Sequence, residues 1–74
     1  SGDVRILRKE KVGTETVSGL RTTKYKTIAV APDGTRMGGF TWIAGNGIIV
    51  RMDMLSKGKG RKMRMKMVDR KSTR

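Results

Sequence analysis

The side chains that could do chemistry are few. The chain has no histidine and no cysteine, so it lacks the usual general base, the thiol nucleophile, disulfides and the common metal ligands. The carboxylates are scattered and form no predicted acid–base pair or cation cage; they are Asp3, Glu10, Glu15, Asp33, Asp53 and Asp69. We therefore expect a protein that binds rather than catalyses, without metal or cofactor.

Positive charge is the strongest chemical signal. The net charge is +12, and residues 56–74 carry nine basic side chains against Asp69 alone, which is +8 of that excess. Such a field attracts nucleic acid, an anionic membrane surface or an acidic protein. The candidate anion-binding residues are Lys57, Lys59, Arg61, Lys62, Arg64 and Lys66. The Gly58-Lys59-Gly60 stretch lacks phosphate-loop spacing and is more typical of a charged hairpin tip.

Residues 62–67 alternate lysine or arginine with methionine. This period of two is typical of a half-buried strand with methionine inward and cations in water. Methionine is flexible and polarisable, so a methionine-lined surface also adapts to irregular apolar ligands.

Short turn signals divide the chain into strands. Glycine-containing turns at 18–19, 32–34, 45–47 and 57–60 separate runs rich in threonine, valine and isoleucine. No apolar stripe of helical period is long enough to predict a helix. We predict an all-β fold, a five-strand antiparallel meander forming a curved sheet or half-barrel, with strands at Val4–Val12, Thr22–Ala31, Arg36–Ala44, Ile48–Ser56 and Arg61–Asp69.

The side-chain alternation predicts a register. A three-residue Gly45-Asn46-Gly47 loop sets Trp42 against Val50 and Phe40 against Met52, whereas a two-residue loop sets them against Arg51 and Asp53. We prefer the first. A four-residue loop at 57–60 then sets Met54 against Met63 and Asp53 against Arg64.

This register predicts an apolar side and a cationic side. The apolar side would hold Phe40, Trp42, Ile48, Val50, Met52, Met54, Met63, Met65 and Met67, joined by Tyr25, Thr27 and Ala29 if Asp33-Gly34 forms a two-residue turn. A three-residue Pro-Asp-Gly loop would instead place Tyr25, Thr27 and Ala29 on the reverse side, unless Gly38-Gly39 adds a bulge. Both alternatives stay open. The reverse side would hold Lys24, Lys26, Arg51, Lys62, Arg64 and Lys66, among Ile28, Ile43, Ile49 and Leu55.

The size of the chain predicts that something covers the apolar side. Seventy-four residues form one small β domain, in which we take residues 1–2 as a tag remnant and 70–74 as a flexible basic tail. Domains this small seldom bury enough apolar surface alone, and soluble monomers seldom expose large apolar patches. We expect a ligand or a second copy of the chain on that side.

Two motifs carry a family resemblance. The segment Gly13-Thr14-Glu15-Thr16-Val17-Ser18-Gly19-Leu20-Arg21-Thr22-Thr23-Lys24-Tyr25, and then residues 39–43 with Gly47 and 50–52, resemble the C-terminal half of periplasmic lipoprotein-carrier (LolA/LolB-like) proteins and related envelope proteins of uncharacterised function. The resemblance implies a half-barrel whose concave face holds acyl chains, in the periplasm or cell envelope. It implies a lining of Tyr25, Phe40, Trp42, Val50, Met52, Met65 and Met67.

Three hypotheses follow for the function. The leading one is a carrier-like module whose apolar face, with Met54 and Met63 added to that lining, binds a lipid, a lipoprotein acyl chain or a second subunit. The alternatives are a basic β-sheet that binds nucleic acid and a structural domain that only self-associates. Because the aromatic residues are predicted on the side away from the cations, base stacking is disfavoured.

Overall fold

The fold is a single open antiparallel sheet. A computed structural model describes residues 3–58 and 60–68. Five strands follow one another in space as they do in sequence, and the sheet does not close into a barrel; they are β1 (Arg5–Val17), β2 (Leu20–Val30), β3 (Arg36–Ala44), β4 (Ile49–Gly58) and β5 (Arg61–Val68). The predicted all-β meander is confirmed. In the described part of the chain no helix is long and apolar enough to cross a membrane.

The strand boundaries agree best with the prediction where alternation is clean. β3 has the predicted bounds, whereas β1 is longer than predicted and runs on through Gly13 to Val17. Its pairing with β2 shifts between Ile6 and Arg8 and again between Lys11 and Gly13. These bulges interrupt the period of two, which is why the sequence pattern does not show the full strand. The expected tag remnant, the basic tail, Asp69 and Lys59 lie outside the described residues.

The sheet is strongly coiled. The principal extents are 41 × 24 × 23 Å. Flat sheets stack about 10 Å apart, so a single flat sheet would be much thinner than the smallest of these extents. Strand twist accounts for part of this shape, and Gly39 permits a close approach between β3 and β4. A Cβ atom at Gly39 would collide with the Asp53 carbonyl oxygen and lie 2.8 Å from Met54 Cα. The curvature at this point therefore depends on glycine.

Short loops set the register between strands. Ser18 and Gly19 both have positive φ, as a two-residue turn of type I′ requires. Three-residue loops join β2 to β3 and β3 to β4, closed by Ala31–Thr35 and Ala44–Ile48 backbone hydrogen bonds. The left-handed residues of those loops are Gly34 and Gly47. The predicted 45–47 loop is therefore present, and of the two alternatives at 32–34 the three-residue loop is the one observed.

A bulge at Val50 changes the predicted pairing of β3 with β4. Ile43 pairs with Ile49, but the next pair is Trp42 with Arg51, so Val50 is an extra residue on β4. Beyond it Phe40 faces Asp53. The predicted pairs of Trp42 with Val50 and of Phe40 with Met52 are wrong, because one inserted residue inverts every side chain that follows it.

The pairing of β4 with β5 differs from the prediction by two residues. Gly58 pairs with Arg61, so the loop has two residues rather than four, and Met54 faces Met65 instead of Met63. A shift of two leaves each side chain on its predicted face. Arg64 lies opposite Leu55 yet still reaches Asp53 diagonally, with two 3.1 Å hydrogen bonds. The predicted Asp53–Arg64 ion pair is therefore present, but the predicted direct opposition of the two residues is wrong, since Asp53 faces Lys66.

A small apolar core lies at the corner where β1, β3 and β4 approach one another. Val17, Trp42 and Val50 form it, at 6%, 4% and 1% exposure, with Phe40 and Ala44 packed against them. Val50 therefore contacts Trp42 as an added bulge residue rather than as its paired neighbour.

Candidate functional site

The methionine face is the first candidate surface. Directly opposed residues of an antiparallel pair share a face, and the observed register places all six methionines of the chain on one side, with Tyr25, Thr27, Ala29, Thr41 and Ile43. Of the predicted lining, Tyr25, Met52, Met54, Met63, Met65 and Met67 lie here. Met37 joins them, although the sequence analysis did not select it; its alternation with Gly39, Thr41 and Ile43 in β3 is the signal that could have found it.

The centre of the methionine face is sheltered and its margin is open. Ala29, Thr27, Thr41 and Met54 are only 2–6% exposed. Met63 and Met67, on the edge strand β5, are 54% and 39% exposed. No second layer covers the described sheet, so this burial comes from neighbours on the same coiled face. The centre of the methionine face is therefore covered by its own side chains, and its open part is the β5 margin, where Met63 and Met67 are exposed.

The threonines at the centre of the methionine face have their hydrogen bonds satisfied locally. The Thr27 and Thr41 hydroxyls lie 3.3 Å apart and share a hydrogen bond between β2 and β3. Because a hydroxyl without a partner is costly in an apolar setting, this pairing lets the centre of the methionine face remain apolar in character. At the β1 side, Lys9 places its ammonium 4.6 Å from the centre of the Tyr25 ring.

The cationic face is the second candidate surface, and the predicted aromatic residues lie on it. Phe40 and Trp42 pair with Lys26 and Lys24 on one side and with Asp53 and Arg51 on the other. Their predicted place among the methionines is wrong because of the Val50 bulge. Basic side chains on this face are Arg5, Arg8, Lys24, Lys26, Arg36, Arg51, Lys57, Lys62, Arg64 and Lys66.

The aromatic rings of the cationic face are capped by cations. Lys24 Nζ lies 4.5 Å from the Phe40 ring centre and 5.1 Å from that of Trp42, and the Arg51 guanidinium lies 4.6 Å from the Trp42 ring centre. These distances are within the range of cation–π attraction. The rings are tilted at 51° with centres 6.4 Å apart. Aromatic and cationic groups lie on the same face, contrary to the prediction. The ring faces of Phe40 and Trp42 are already in contact with Lys24 and Arg51.

The acidic groups of this face have partners. Glu15 accepts a 2.9 Å hydrogen bond from Trp42 Nε1, and Glu10 pairs with Arg8. Hydrogen bonds from Arg64 lower the pKa of the Asp53 carboxyl, and the positive charges of Arg64, Lys66 and Arg51 lower it further. Asp53 thus remains a carboxylate and offsets part of the charge of Arg64.

Of the predicted anion-binding residues, Lys57, Lys62, Arg64 and Lys66 share the cationic face, whereas Arg61 pairs with Gly58 and lies on the methionine face. Lys59 is outside the described residues. Arg36 was missed by the sequence analysis. It lies directly opposite Lys57 because of the 45–47 loop and the Val50 bulge, and the sequence pattern does not show that bulge.

In the part of the chain that the structure describes, no three His, Cys, Asp or Glu side chains are grouped so that they could hold a metal ion. In comparisons with known proteins, no family model matches the chain, and no curated protein and no solved structure matches it significantly. The resemblance to lipoprotein carriers therefore stays a prediction based on the two motifs.

Proposed function

We propose that the chain is a non-enzymatic module that binds a lipid-like, single-chain apolar ligand along the methionine face. The observation that carries the proposal is the gathering of all six methionines on one face of a sheet without a covering layer among the described residues. A stable domain normally buries such a face against another layer. Methionine is suited to a ligand that changes shape, because its side chain repacks at low cost.

The distribution of exposed methionine supports a narrow ligand over a flat one. Ala29, Thr27, Thr41 and Met54 are almost fully buried, so a ligand would contact mainly the exposed methionines of β5, Met63 and Met67. Met63, Met65 and Met67 alternate along β5 on this face and form a line of methionine at its margin. An extended acyl chain matches this arrangement.

The test is a titration with a neutral monoacylglycerol that carries an environment-sensitive fluorophore, kept below its aggregation concentration. An uncharged headgroup removes attraction to the +12 charge of the protein. We expect a saturable rise in probe emission. Trp42 is an unsuitable reporter, because it lies on the other face and is 4% exposed.

Two exposed residues provide matched variants. Met67 and Leu55 are 39% and 40% exposed, in neighbouring strands and on opposite faces. Met67→Ser should weaken binding about three- to tenfold, since some tens of Å² of apolar contact are lost at about 25 cal/mol per Å². Leu55→Ser should leave affinity within about twofold of the original. Equal weakening by both variants, or no saturable binding, would refute the proposal.

Sedimentation velocity separates this proposal from self-association. Three results together would show that a second copy of the chain covers the methionine face and that the ligand proposal is wrong. The mass would rise with protein concentration, Met67→Ser would prevent that rise, and the probe would not bind. A constant mass with probe binding supports a ligand.

A further inference from the structure

Three cations stand side by side at one end of the cationic face. Arg36 of β3 lies directly opposite Lys57 of β4, and Lys57 lies directly opposite Lys62 of β5. Directly opposed side chains have Cβ atoms about 5 Å apart, and like charges in such positions destabilise a sheet. The carboxylates of Glu10, Glu15 and Asp53 are engaged with Arg8, Trp42 and Arg64. This row, the cation row, is thus an unfavourable arrangement that an anion would relieve.

Apolar surface lies next to the cation row. Ile28, Gly38 and Leu55 are opposite one another on the next row of the same face. Because Gly38 has no side chain, a shallow hollow of about 280 Å³ remains there, lined in part by Ile28, Leu55, Arg36 and Lys57. Leu55 is 40% exposed although cations surround it. The surface therefore combines charge with a protruding apolar group.

We propose that the cationic face docks onto an anionic phospholipid bilayer, with the cation row against the phosphate groups and Leu55 directed into the interfacial layer. Each basic residue near an anionic membrane contributes to binding, and exposed apolar side chains add to it. All five strands contribute cations, so the charges form a two-dimensional array that fits a surface of many headgroups.

A nucleic acid is a poorer fit to the same face. Single-stranded nucleic acid binds by stacking bases on free aromatic faces beside a basic groove. Here Phe40 and Trp42 are capped by Lys24 and Arg51, and Trp42 is buried. The bilayer proposal goes beyond the lipid-binding function and does not depend on it, because the two use opposite faces of the sheet.

The experiment measures sedimentation of the protein with large unilamellar vesicles in about 0.1 M salt, where screening acts over roughly 10 Å. Vesicles of pure phosphatidylcholine are compared with vesicles containing about a third phosphatidylglycerol. We expect at least about tenfold tighter binding to the anionic vesicles, weakening as salt increases. Equal binding to both vesicles would overturn the proposal. Inorganic phosphate at a few millimolar should not displace the protein; displacement would identify a free-phosphate site instead.

Two triple variants with the same net charge test the location. R36Q/K57Q/K62Q removes the cation row, and K9Q/K11Q/R21Q removes three cations that the pairing of β1 with β2 places on the methionine face. The first should reduce affinity for anionic vesicles at least about tenfold and the second much less. Equal losses would mean that net charge alone drives binding, which contradicts the proposal.

Three further readouts keep the outcome unambiguous. R36Q/K57Q/K62Q should also unfold at a higher urea concentration than the original chain, because it relieves like-charge opposition, so lost binding could not be ascribed to unfolding. If a single-stranded oligonucleotide competes with the vesicles and binds more tightly at equal salt, the partner is nucleic acid and the bilayer proposal is wrong. Leu55→Ser should weaken vesicle binding, whereas Met67→Ser should not, the reverse of their effects on the monoacylglycerol probe.

Discussion

The indole Nε1 of Trp42 donates a 2.9 Å hydrogen bond to Glu15 Oε1, joining β3 to β1 across the intervening strand β2. Beside it, the Thr22 hydroxyl donates to the Glu15 backbone carbonyl at 2.6 Å. In a meander, consecutive strands pair with each other, so this contact between non-adjacent strands closes the corner over Val17 and Val50. Trp42 is thus held by a polar contact at its edge and apolar contacts on its body.

Replacing the acceptor of this bond should destabilise the corner. Glu15→Ala leaves the buried indole N–H without its partner, and we expect a loss of about 1–2 kcal/mol in the free energy of unfolding. Glu15→Gln keeps an acceptor oxygen and should lose less. Urea unfolding followed by circular dichroism measures both, and it also applies to the Trp42→Phe background, which has no tryptophan. If Glu15→Ala costs no more in the original chain than in a Trp42→Phe background, the bond does not contribute to stability.

Removing two methyl groups at the bulge should leave a cavity. Val50 is 1% exposed and contacts the Trp42 core, so Val50→Ala should lower the free energy of unfolding by about 1.5–3 kcal/mol. Val68→Ala is the matched control, because Val68 is 52% exposed and the same change there should cost less than about 0.5 kcal/mol. Similar losses at the two sites, measured by urea unfolding, would contradict burial of the bulge residue.

Adjacent glycines in β3 should respond differently to an added methyl group. Gly39→Ala would collide with β4 backbone and should cost at least about 2 kcal/mol. Gly38→Ala meets its nearest atom, the Thr27 carbonyl oxygen, at 3.9 Å, an ordinary contact. That variant should be neutral or stabilising by up to about 1 kcal/mol, because alanine restricts the unfolded chain. Thermal unfolding of both variants checks the prediction, and a tolerated Gly39→Ala would show that the sheet is less tightly coiled.

Acid should remove the contribution of the Asp53–Arg64 pair. Hydrogen bonds from Arg64 lower the pKa of Asp53 in the folded state below its unfolded value. The pair therefore contributes stability above the unfolded pKa and loses it as pH falls through the lowered folded pKa. We expect Asp53→Asn to have a lower urea midpoint than the original chain near pH 7, with the difference vanishing between about pH 5 and pH 2.

The control for acid titration is Glu10→Gln, which makes the same change in net charge in an exposed pair with Arg8. It corrects for the general effect of adding positive charge to a basic protein. A gap between Asp53→Asn and the original chain that persists at pH 2 would mean that the carboxylate acts by packing rather than by charge. A small gap at pH 7 is expected in any case, because exposed ion pairs contribute little.

Much of the fold is present in local patterns. Turn glycines and β-branched runs predict five hairpin-linked strands, and each paired strand follows its neighbour, so the meander needs no long-range information. The alternation in residues 62–67 correctly places Met63, Met65 and Met67 on one face with Met52 and Met54, even though the loop before them is two residues shorter than predicted. An error of two residues in register preserves the face, so these residues remain together.

The sequence by itself determined the strands, the absence of histidine and cysteine chemistry, the basic charge and the grouping of methionines in β4 and β5. Only the tertiary structure decided on which face Phe40 and Trp42 lie. One extra residue, Val50, is absorbed where β4 packs on the Val17–Trp42 corner, and nothing in the local alternation marks that bulge. Burial of Val50 with Trp42 stabilises the irregular pairing, and this long-range contact brings Trp42 under Arg51 and sets Arg36 beside Lys57.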